Sequence, residues 1–229
     1  VLHMLLERGA DVNCANHRGE TALMKAIHRF GDIVLHMLLE HGADANCITN
    51  DGHTPLVYAA RTGCESIVRI LLEHDVDVNH VNNEGGTALT YASMRGERAI
   101  ADMLLEHGAD VNHVDGREFT PLFWAAQSEA TDITQLLLEH GADVHHVTRH
   151  GDTALTRAAI FFRRDIARLL LSYGAIPIPK FVRMVSLEGV TVPLVSDCRD
   201  AVVQCVSEAG DGGRDVASIC ADYLTLANQ

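Results

Sequence analysis

The chain has 229 residues, which is about one and a half average domains. Its hydrophobic fraction of 47% and charged fraction of 21% are ordinary globular values, and they exclude a wholly disordered chain. The 31 acidic against 18 basic residues give a formal net charge of −13, the wrong sign for a general nucleic-acid binder. No apolar run approaches the roughly 18 residues that a membrane helix needs, so we expect no membrane insertion.

Landmarks in the sequence recur with a period of 33 residues. A Gly-Ala-Asp string begins at the same place in four copies, at Gly9, Gly42, Gly108 and Gly141. A threonine followed by Ala-Leu or Pro-Leu marks five copies, at Thr21, Thr54, Thr87, Thr120 and Thr153. A leucine pair begins at Leu38, Leu71, Leu104, Leu137 and Leu170. Three landmarks that share one period indicate a tandem repeat of one structural unit.

Residues 1–8 predict the second helix of a repeat whose first helix is absent. Such a start leaves an apolar flank uncovered, whereas the terminal repeats of a solenoid need polar outer faces. We therefore expect further repeats upstream, which would make this sequence a fragment of a longer chain.

The residues of one period, 51–83, predict two short helices joined to a turn. Thr54 is suited to cap the first helix, and Pro55 to its first position, where a missing N–H costs nothing. Gly63 is expected to end that helix. The second helix has an apolar face formed by Ile67, Val68, Leu71 and Leu72. Because both helices are shorter than the roughly 12–15 residues that persist alone in water, they must be stabilised by their neighbours. The predicted fold is an all-α solenoid of stacked helix pairs.

This pattern resembles the ankyrin-repeat family, which has a 33-residue period and a Thr-Pro-Leu-His-x-Ala signature. Thr-Pro-Leu stands here at Thr54 and at Thr120, in each case without the histidine. Glycines of the turn and of the helix end are replaced in some copies, by Glu118, Glu129 and Phe162. These departures bear on local turn geometry, above all around residues 116–130, and leave the architecture unchanged.

The resemblance implies an ankyrin-repeat domain over residues 1–176. Its expected boundaries are a partial repeat at 1–17 and further repeats at 18–50, 51–83, 84–116, 117–149 and 150–176. Pro177 and Pro179 interrupt the pattern, and residues 177–229 predict a C-terminal helical tail. Two interpretations of the tail stay open: a degenerate helix pair that caps the last repeat, or a short partner-binding motif.

The 14 histidines raise the question of a metal site. Four of them end a predicted second helix, where an imidazole can hydrogen-bond a free carbonyl: His41, His74, His107 and His140. A second row lies on the turns, at His80, His113 and His146. Equivalent histidines of successive repeats are expected to lie roughly 10 Å apart, so they cannot share a zinc ion, whose ligand atoms lie about 2 Å from the metal. The local cluster of His145, His146 and His150 favours a solvated turn over a metal site.

The six cysteines do not predict a disulfide framework. Cys14 and Cys47 stand one period apart, which is too far for the Cα separation below about 7 Å that a disulfide requires. We expect the cysteines to be reduced thiols in an intracellular protein.

Catalytic motifs are not recognisable in the sequence. It contains no nucleophile with an evident general base and no phosphate-binding glycine loop between a strand and a helix. The Gly-Asp-Gly-Gly run at residues 210–213 lacks a following lysine and is typical of a turn. We therefore expect no enzymatic activity, no cofactor, no metal and no small-molecule substrate.

Stacked repeats present an extended concave surface, and two sets of positions are expected to project there. The position four after each cap threonine holds Lys25, Tyr58, Tyr91, Trp124 and Arg157, and a largely basic row follows with Arg29, Arg61 and Arg95. Tyr, Trp and Arg dominate interface energetics, although such rings can also pack between adjacent helices. At the turn tips, His53 and Phe119 are candidates, because an exposed aromatic side chain at Phe119 has little structural reason.

These observations predict a non-catalytic protein–protein interaction module in the cytoplasm or nucleus, with another protein as its partner. The alternative is the recognition arm of a larger protein, such as a ubiquitin-ligase adaptor or the regulatory domain of an enzyme. A basic row on an acidic body favours a partner segment that carries some acid. The resemblance also implies possible asparaginyl hydroxylation at Asn13, Asn46, Asn79 and Asn112.

Overall fold

The structure is a computed structural model that describes residues 2–29 and 31–175, apart from the side chains of His28 and Arg29. The predicted C-terminal tail at residues 177–229 lies outside the described residues. Within the described ranges, the regular secondary structure is α-helical and contains no strand. The predicted all-α fold is therefore confirmed.

The described residues form a single short helix followed by helix pairs. The first helix, α1, spans Leu2–Glu7. The pairs are α2 (Ala22–Arg29) with α3 (Gly31–Glu40), α4 (Pro55–Thr62) with α5 (Glu65–Leu72), α6 (Ala88–Arg95) with α7 (Arg98–Glu106), α8 (Pro121–Gln127) with α9 (Thr131–Glu139), and α10 (Ala154–Ile160) with α11 (Arg164–Ser172). Each pair falls inside one predicted period.

The chain divides into two compact units, Val1–Arg117 and Glu118–Gln229. In the first unit, α2, α4 and α6 pack side by side as a row of first helices, and α3, α5 and α7 pack as a row of second helices. Each first helix also packs against the second helix of its own pair. The rows enclose a core of aliphatic side chains that includes Leu35, Leu56, Leu71, Leu89 and Leu104.

In the second unit, α8 packs on α10 and α9 packs on α11, and the helices of each pair contact one another. Small side chains on the first helices are fully buried, at Ala125, Ala126 and Ala158. Alanine at such positions lets neighbouring helices approach closely. Larger side chains fill the core between the rows, namely Phe123, Ile133, Leu137 and Leu170.

The predicted start and end of a first helix are confirmed at residues 54–63. The Thr54 hydroxyl accepts a hydrogen bond of 3.2 Å from the N–H of Val57, and Pro55 occupies the first turn. Gly63 ends α4 with a φ of 75°, in the left-handed region. The same threonine cap begins three later first helices, at Thr87, Thr120 and Thr153. A cap of this kind stabilises a helix by about 1 kcal/mol.

Two residues adopt the left-handed conformation where other repeats have glycine. Glu118 has a φ of 67° and Phe162 a φ of 55°. The turn and the helix end therefore keep the shape that they have in the other repeats, at a cost of roughly 1–2 kcal/mol for each residue with a side chain.

The helix end near Glu129 departs from the other repeats, as the missing glycine suggests. The capping residue Ser128 is extended, with φ −70° and ψ 174°. Its hydroxyl donates a hydrogen bond of 2.8 Å to the Ala125 carbonyl and accepts one of 3.2 Å from the N–H of Ala130. A serine side chain thus satisfies backbone groups here that a left-handed glycine satisfies elsewhere.

Candidate functional site

His53, predicted as a turn-tip residue, is buried and belongs to a polar cluster in the first unit. The residue is 6% exposed. Its Nε2 lies 3.2 Å from Nη1 of Arg61, and its Nδ1 lies 3.1 Å from Nδ2 of Asn82. Burial and the positive charge of Arg61 lower the pKa of His53 below its usual value. The ring is therefore neutral at neutral pH.

The predicted aromatic positions of α4 and α6 meet around this ring. Tyr58 and Tyr91 contact His53 edge-on, with ring centroids 6.4 and 6.0 Å from the imidazole centroid. Tyr58 is half-buried, whereas Tyr91 is 8% exposed. The Tyr91 hydroxyl accepts a hydrogen bond of 2.7 Å from Asn82 and donates one of 3.2 Å to Glu84. Tyr91 is therefore a packing residue, and Tyr58 presents part of its ring to solvent.

The predicted cations Arg61 and Lys25 stay at the surface of the first unit, each held by a neighbour. Arg61 is exposed, and its guanidinium carbon lies 5.4 Å from the centroid of the Tyr58 ring. This distance is within the range of a cation–π contact. Lys25 forms an ion pair with Glu20, and this hydrogen bond lowers the pKa of the Glu20 carboxyl.

The other two predicted cations of this unit lie at the ends of first helices. Arg95 is exposed, and its Nε lies 3.5 Å from Oε1 of Glu97. Arg29 is the last residue of α2, and its side chain lies outside what the structure describes. All four predicted cations of this unit, Lys25 and the basic row of Arg29, Arg61 and Arg95, thus lie on first helices.

In the second unit, Arg157 lies among aromatic rings. Its guanidinium carbon lies 4.9, 5.1 and 5.7 Å from the ring centroids of Phe161, Phe123 and Phe119. Its Nε and Nη2 both donate to Oε1 of Gln127, at 3.2 and 2.7 Å. Loss of surrounding water lowers the pKa of Arg157. The side chain is half-buried, so it packs against the rings while part of it faces solvent.

Phe119 is not the exposed turn-tip aromatic residue that the sequence led us to expect. Its ring is half-buried and stacks on Phe123, with centroids 4.1 Å apart and planes inclined by 12°. It also meets Trp124 edge-on at 5.2 Å, and Trp124 is itself 6% exposed. The turn folds the ring back onto α8, because an aromatic pair in contact gains more than a ring left in water.

The second histidine row links successive turns. Nε2 of His80 lies 2.8 Å from the carbonyl oxygen of Gly52, and Nε2 of His113 lies 2.7 Å from that of Gly85. His146 makes the same contact at 2.9 Å in the second unit. A carbonyl oxygen only accepts, so Nε2 carries the proton in each ring.

The predicted role of the helix-terminal histidines is confirmed in three repeats. Nδ1 lies 2.7–2.9 Å from the carbonyl oxygen four residues earlier in His41, His107 and His140. Each ring therefore donates to a carbonyl of the last helical turn, and that carbonyl also accepts the backbone N–H of the same histidine, so it is shared, and not free as the sequence predicted.

The asparagines implied as hydroxylation sites also link the turns. Oδ1 of Asn79 accepts a hydrogen bond of 2.7 Å from the N–H of Asp110, and its Nδ2 donates one of 3.0 Å to the Gly108 carbonyl. The same two contacts are made by Asn13 and Asn46. Asn112 is exposed, and its backbone N–H donates to the Asp110 carboxylate at 2.9 Å.

An exposed apolar row was not among the predicted site residues. Ile48, Val81 and Val114 occupy one turn position in successive repeats of the first unit, with exposed fractions of 56%, 46% and 44%. Val147 has the same position in the second unit. The sequence could have predicted this row, because an aliphatic residue recurs every 33 residues in a turn that otherwise consists largely of polar residues. Exposed apolar rows are typical of interaction sites.

The described ranges contain no metal cluster, no disulfide and no membrane-spanning helix. No three His, Cys, Asp or Glu side chains among the described residues are placed to hold a metal ion. Cys14, Cys47 and Cys64 are free thiols, and burial raises the pKa of Cys47. No described helix has both the length and the apolar character needed to cross a membrane.

Pairs of short helices with hydrogen-bonded turns, repeated at one period, define a helical tandem-repeat protein. The family model described as ankyrin repeats (3 copies) matches residues 1–82, 29–115 and 113–180. The chain therefore belongs to the ankyrin-repeat family, whose members are generally protein–protein interaction modules and typically non-catalytic. No curated protein matches the sequence.

Proposed function

We propose that the chain is a non-catalytic module that binds another protein through a concave surface of first helices and turns. The observation that carries this proposal is the exposed apolar row of Ile48, Val81 and Val114. It recurs on turns that are hydrogen-bonded to one another, so a partner would meet a preorganised surface. An apolar contact area with charged residues nearby is suited to binding the surface of another protein.

The residues predicted for binding divide into two groups. Those with solvent-facing atoms contact the partner directly: Lys25, Tyr58, Arg61, Arg95, Phe119 and Arg157, with Arg29 added from its place in the sequence. Those that are buried mainly hold the first group in position: His53, Tyr91 and Trp124, of which His53 keeps one ring nitrogen, Nε2, beside the exposed Arg61. This division rests on burial, because a buried ring offers little area to a partner.

The charge and the thiols support the kind of partner and compartment. A net charge of −13 repels nucleic-acid phosphates, so we propose a protein partner and no nucleic acid. The exposed free thiol of Cys14 fits a reducing compartment, the cytoplasm or the nucleus. The proposal involves no cofactor, no small-molecule substrate and no membrane insertion.

A recognition arm of a larger protein, such as a ubiquitin-ligase adaptor or an enzyme's regulatory domain, would use the same surface. The full-length reading frame distinguishes this arrangement from an independent binding module.

Selection of phage-displayed random peptides on the immobilised full chain tests the proposed function. We expect peptides that bind saturably and that lose affinity at least about tenfold with Arg61→Ala or Tyr58→Ala, as interface anchors do. The matched control is Arg69→Ala, which removes an exposed arginine of α5 that pairs with Glu65. The proposal fails if no peptide binds saturably, or if the control variant weakens binding equally.

Ring variants separate binding from packing. Trp124→Ala and Tyr91→Ala are expected to lower the melting temperature because they empty buried space. If alanine variants of Tyr58, Tyr91, Trp124 and Phe119 all melt early and still bind like the wild type, the rings are core residues and the assigned surface is wrong.

We also propose Asn13, Asn46, Asn79 and Asn112 as substrates of an asparaginyl hydroxylase. All four are exposed, which supports access by an enzyme. Co-expression with such an enzyme, followed by peptide mass spectrometry, should show the gain of one oxygen atom on these residues. Unmodified asparagines at all four positions would contradict the proposal.

A further inference from the structure

The orientation of the Asn82 side chain is set by backbone groups of its own turn. Its Oδ1 accepts hydrogen bonds from the N–H groups of Glu84 and Gly86, at 3.0 and 2.9 Å. Its Nδ2 donates to the Tyr91 hydroxyl at 2.7 Å and also faces Nδ1 of His53 at 3.1 Å. Exchanging the amide oxygen and nitrogen would set the NH2 group against two backbone donors.

The equivalent position in other repeats supports this orientation. Asp115, one period further along, accepts a hydrogen bond of 2.8 Å from the N–H of Arg117 through Oδ1. A carboxylate can only accept when it is ionised. Asn16, two periods earlier, accepts from the N–H groups of Arg18 and Glu20 in the same way, at 2.8 and 3.1 Å. This position therefore supplies an acceptor to its turn, and the NH2 group of Asn82 must point to His53.

The protonation state of His53 follows from this orientation. Both ring nitrogens face donors, Nδ2 of Asn82 and Nη1 of Arg61, whereas a neutral imidazole has only one acceptor nitrogen. Asn82 is buried and held by its turn while Arg61 is exposed and can move, so Nδ1 accepts from the fixed amide and the single proton lies on Nε2. Nε2 faces Nη1 of Arg61 at 3.2 Å, and a guanidinium has no acceptor. Two N–H donors thus meet with no acceptor between them, and one of them belongs to a residue that is only 6% exposed.

We propose that His53 and Arg61 form a binding site for a carboxylate, supplied by an aspartate or glutamate side chain of the protein partner. A carboxylate has two oxygens, so one can accept from Nε2–H of His53 and the other from the Arg61 guanidinium. Arg61 is exposed, so its side chain can shift to admit the acceptor. The cation–π contact with Tyr58 keeps the guanidinium near the site.

The surroundings favour a singly charged anion over a dianion. Glu84 and Asp51 are close enough to act electrostatically on His53, and only Arg61 carries a permanent positive charge there. A dianionic phosphate would meet two acidic side chains with one cation to balance them. This inference rests on the proposed function, because the carboxylate is supplied by the protein partner. It names the ligand group that binds at His53 and Arg61.

Nitrogen-15 NMR of the full chain at pH 7.5 tests the first step. Long-range correlations of the His53 ring should show the tautomer with the proton on Nε2. Observation of the Nδ1–H tautomer would overturn the inference. Nε2 would then accept from Arg61, and His53 and Arg61 would no longer present two donors to a carboxylate.

Titration with acetate at constant ionic strength tests the site itself. We expect saturable shifts of the His53 and Arg61 side-chain resonances, and a loss of acetate affinity of at least about tenfold in Arg61→Gln and in His53→Gln. The matched control is Arg69→Gln, which removes an exposed arginine of α5 that pairs with Glu65 and should leave acetate affinity unchanged. Unsaturable shifts, equal affinity in Arg61→Gln, or tighter binding of inorganic phosphate than of acetate would overturn the assignment.

Peptides selected on the chain separate this inference from the proposed function. Their acidic residues, replaced one at a time by Asn or Gln in C-terminally amidated peptides, should include one whose replacement lowers affinity at least about tenfold in the wild type and not in Arg61→Gln. If peptides bind but no acidic residue has this effect, the protein-binding function stands and the carboxylate site is wrong. If acetate binds as expected and no peptide does, the carboxylate site stands and the peptide-binding function is wrong.

Discussion

The side-chain oxygen of Asn79 accepts a hydrogen bond of 2.7 Å from the backbone N–H of Asp110, one repeat further along the chain. The amide nitrogen of the same side chain donates to the Gly108 carbonyl at 3.0 Å. One asparagine thus satisfies both a donor and an acceptor of the neighbouring turn. This double contact explains why asparagine recurs at the position, since an ionised aspartate has no donor to give.

Asn79→Ala is expected to lower the free energy of unfolding by about 1–3 kcal/mol, because it leaves two backbone groups of the next repeat without their partner. Urea denaturation followed by circular dichroism measures the change. The control is Asn83→Ala, which removes one hydrogen bond, to the Asn50 carbonyl, and should cost less. If both variants lose the same free energy of unfolding, the second hydrogen bond of Asn79 does not add to stability.

Phe162→Gly is expected to stabilise the protein by about 1 kcal/mol, since glycine adopts positive φ without the strain of a side chain. The ring is 76% exposed, so its removal sacrifices little buried area. Thermal denaturation should show a higher midpoint. Gly108→Ala is the matched opposite, with a φ of 84° and open space around an added Cβ, and it should destabilise by a similar amount. A lower midpoint for Phe162→Gly would mean that the ring makes a stabilising contact.

Ser93→Ala is expected to raise the free energy of unfolding by about 1 kcal/mol, because it removes a buried polar group that lacks a hydrogen bond. Ser93 is fully buried, and its hydroxyl has no partner among the described residues. Equivalent positions in other repeats hold alanine, at Ala60 and Ala126. The control is Ser66→Ala, which removes an exposed hydrogen bond to Asp32 and should change stability by no more than about 0.5 kcal/mol. Destabilisation by Ser93→Ala would reveal a partner for the hydroxyl.

Arg157→Lys is expected to destabilise the second unit by about 1–2 kcal/mol, although it keeps the charge. An ammonium group cannot stack its plane on the phenylalanine rings while donating twice to Gln127. Urea denaturation again gives the change. Arg149→Lys is the control, because the Nε of Arg149 lies 3.7 Å from Glu118 in an exposed ion pair, and about 0.5 kcal/mol or less should be lost. A loss for Arg157→Lys no larger than this would mean that charge alone matters at the site.

The lowered pKa of His53 predicts a pH-dependent stability. The denatured chain takes up a proton on this residue near the ordinary pKa of 6.5, whereas the folded chain does so only at lower pH. The free energy of unfolding should therefore fall as the pH drops below about 6.5 and be level above it. The groups that act on the ring are Arg61, Glu84, Asp51 and His80.

His53→Gln should reduce this slope, measured by urea denaturation between pH 5.5 and 7.5. The other histidines contribute equally to both proteins, so the difference between the two curves isolates His53. His145→Gln, at an exposed turn position, serves as the control and should leave the slope unchanged. Parallel curves for His53→Gln and the wild type would contradict the prediction.

The sequence by itself determined the repeat, its period and the start and end of the first helix at residues 54–63. Thr54 and Gly63 cap a helix through contacts with residues three or four positions away, so their roles can be predicted from local order alone. The apolar faces of the helices could be predicted for the same reason, because helical spacing determines which residues share a face. The exposed row of Ile48, Val81 and Val114 could also have been predicted, by comparing equivalent positions one period apart.

Only the tertiary structure decided which of the predicted binding residues meet solvent. His53 and Phe119 stand on turns that the sequence predicts to be exposed, yet one lies against Asn82 of the next repeat and the other stacks on Phe123. The direction of a side chain on a turn depends on the groups that surround it in space. The ring of His53 meets an amide from another repeat, and the Arg157 guanidinium lies beside the ring of Phe119. Such contacts depend on how the repeats pack, so burial and protonation at the site required the coordinates.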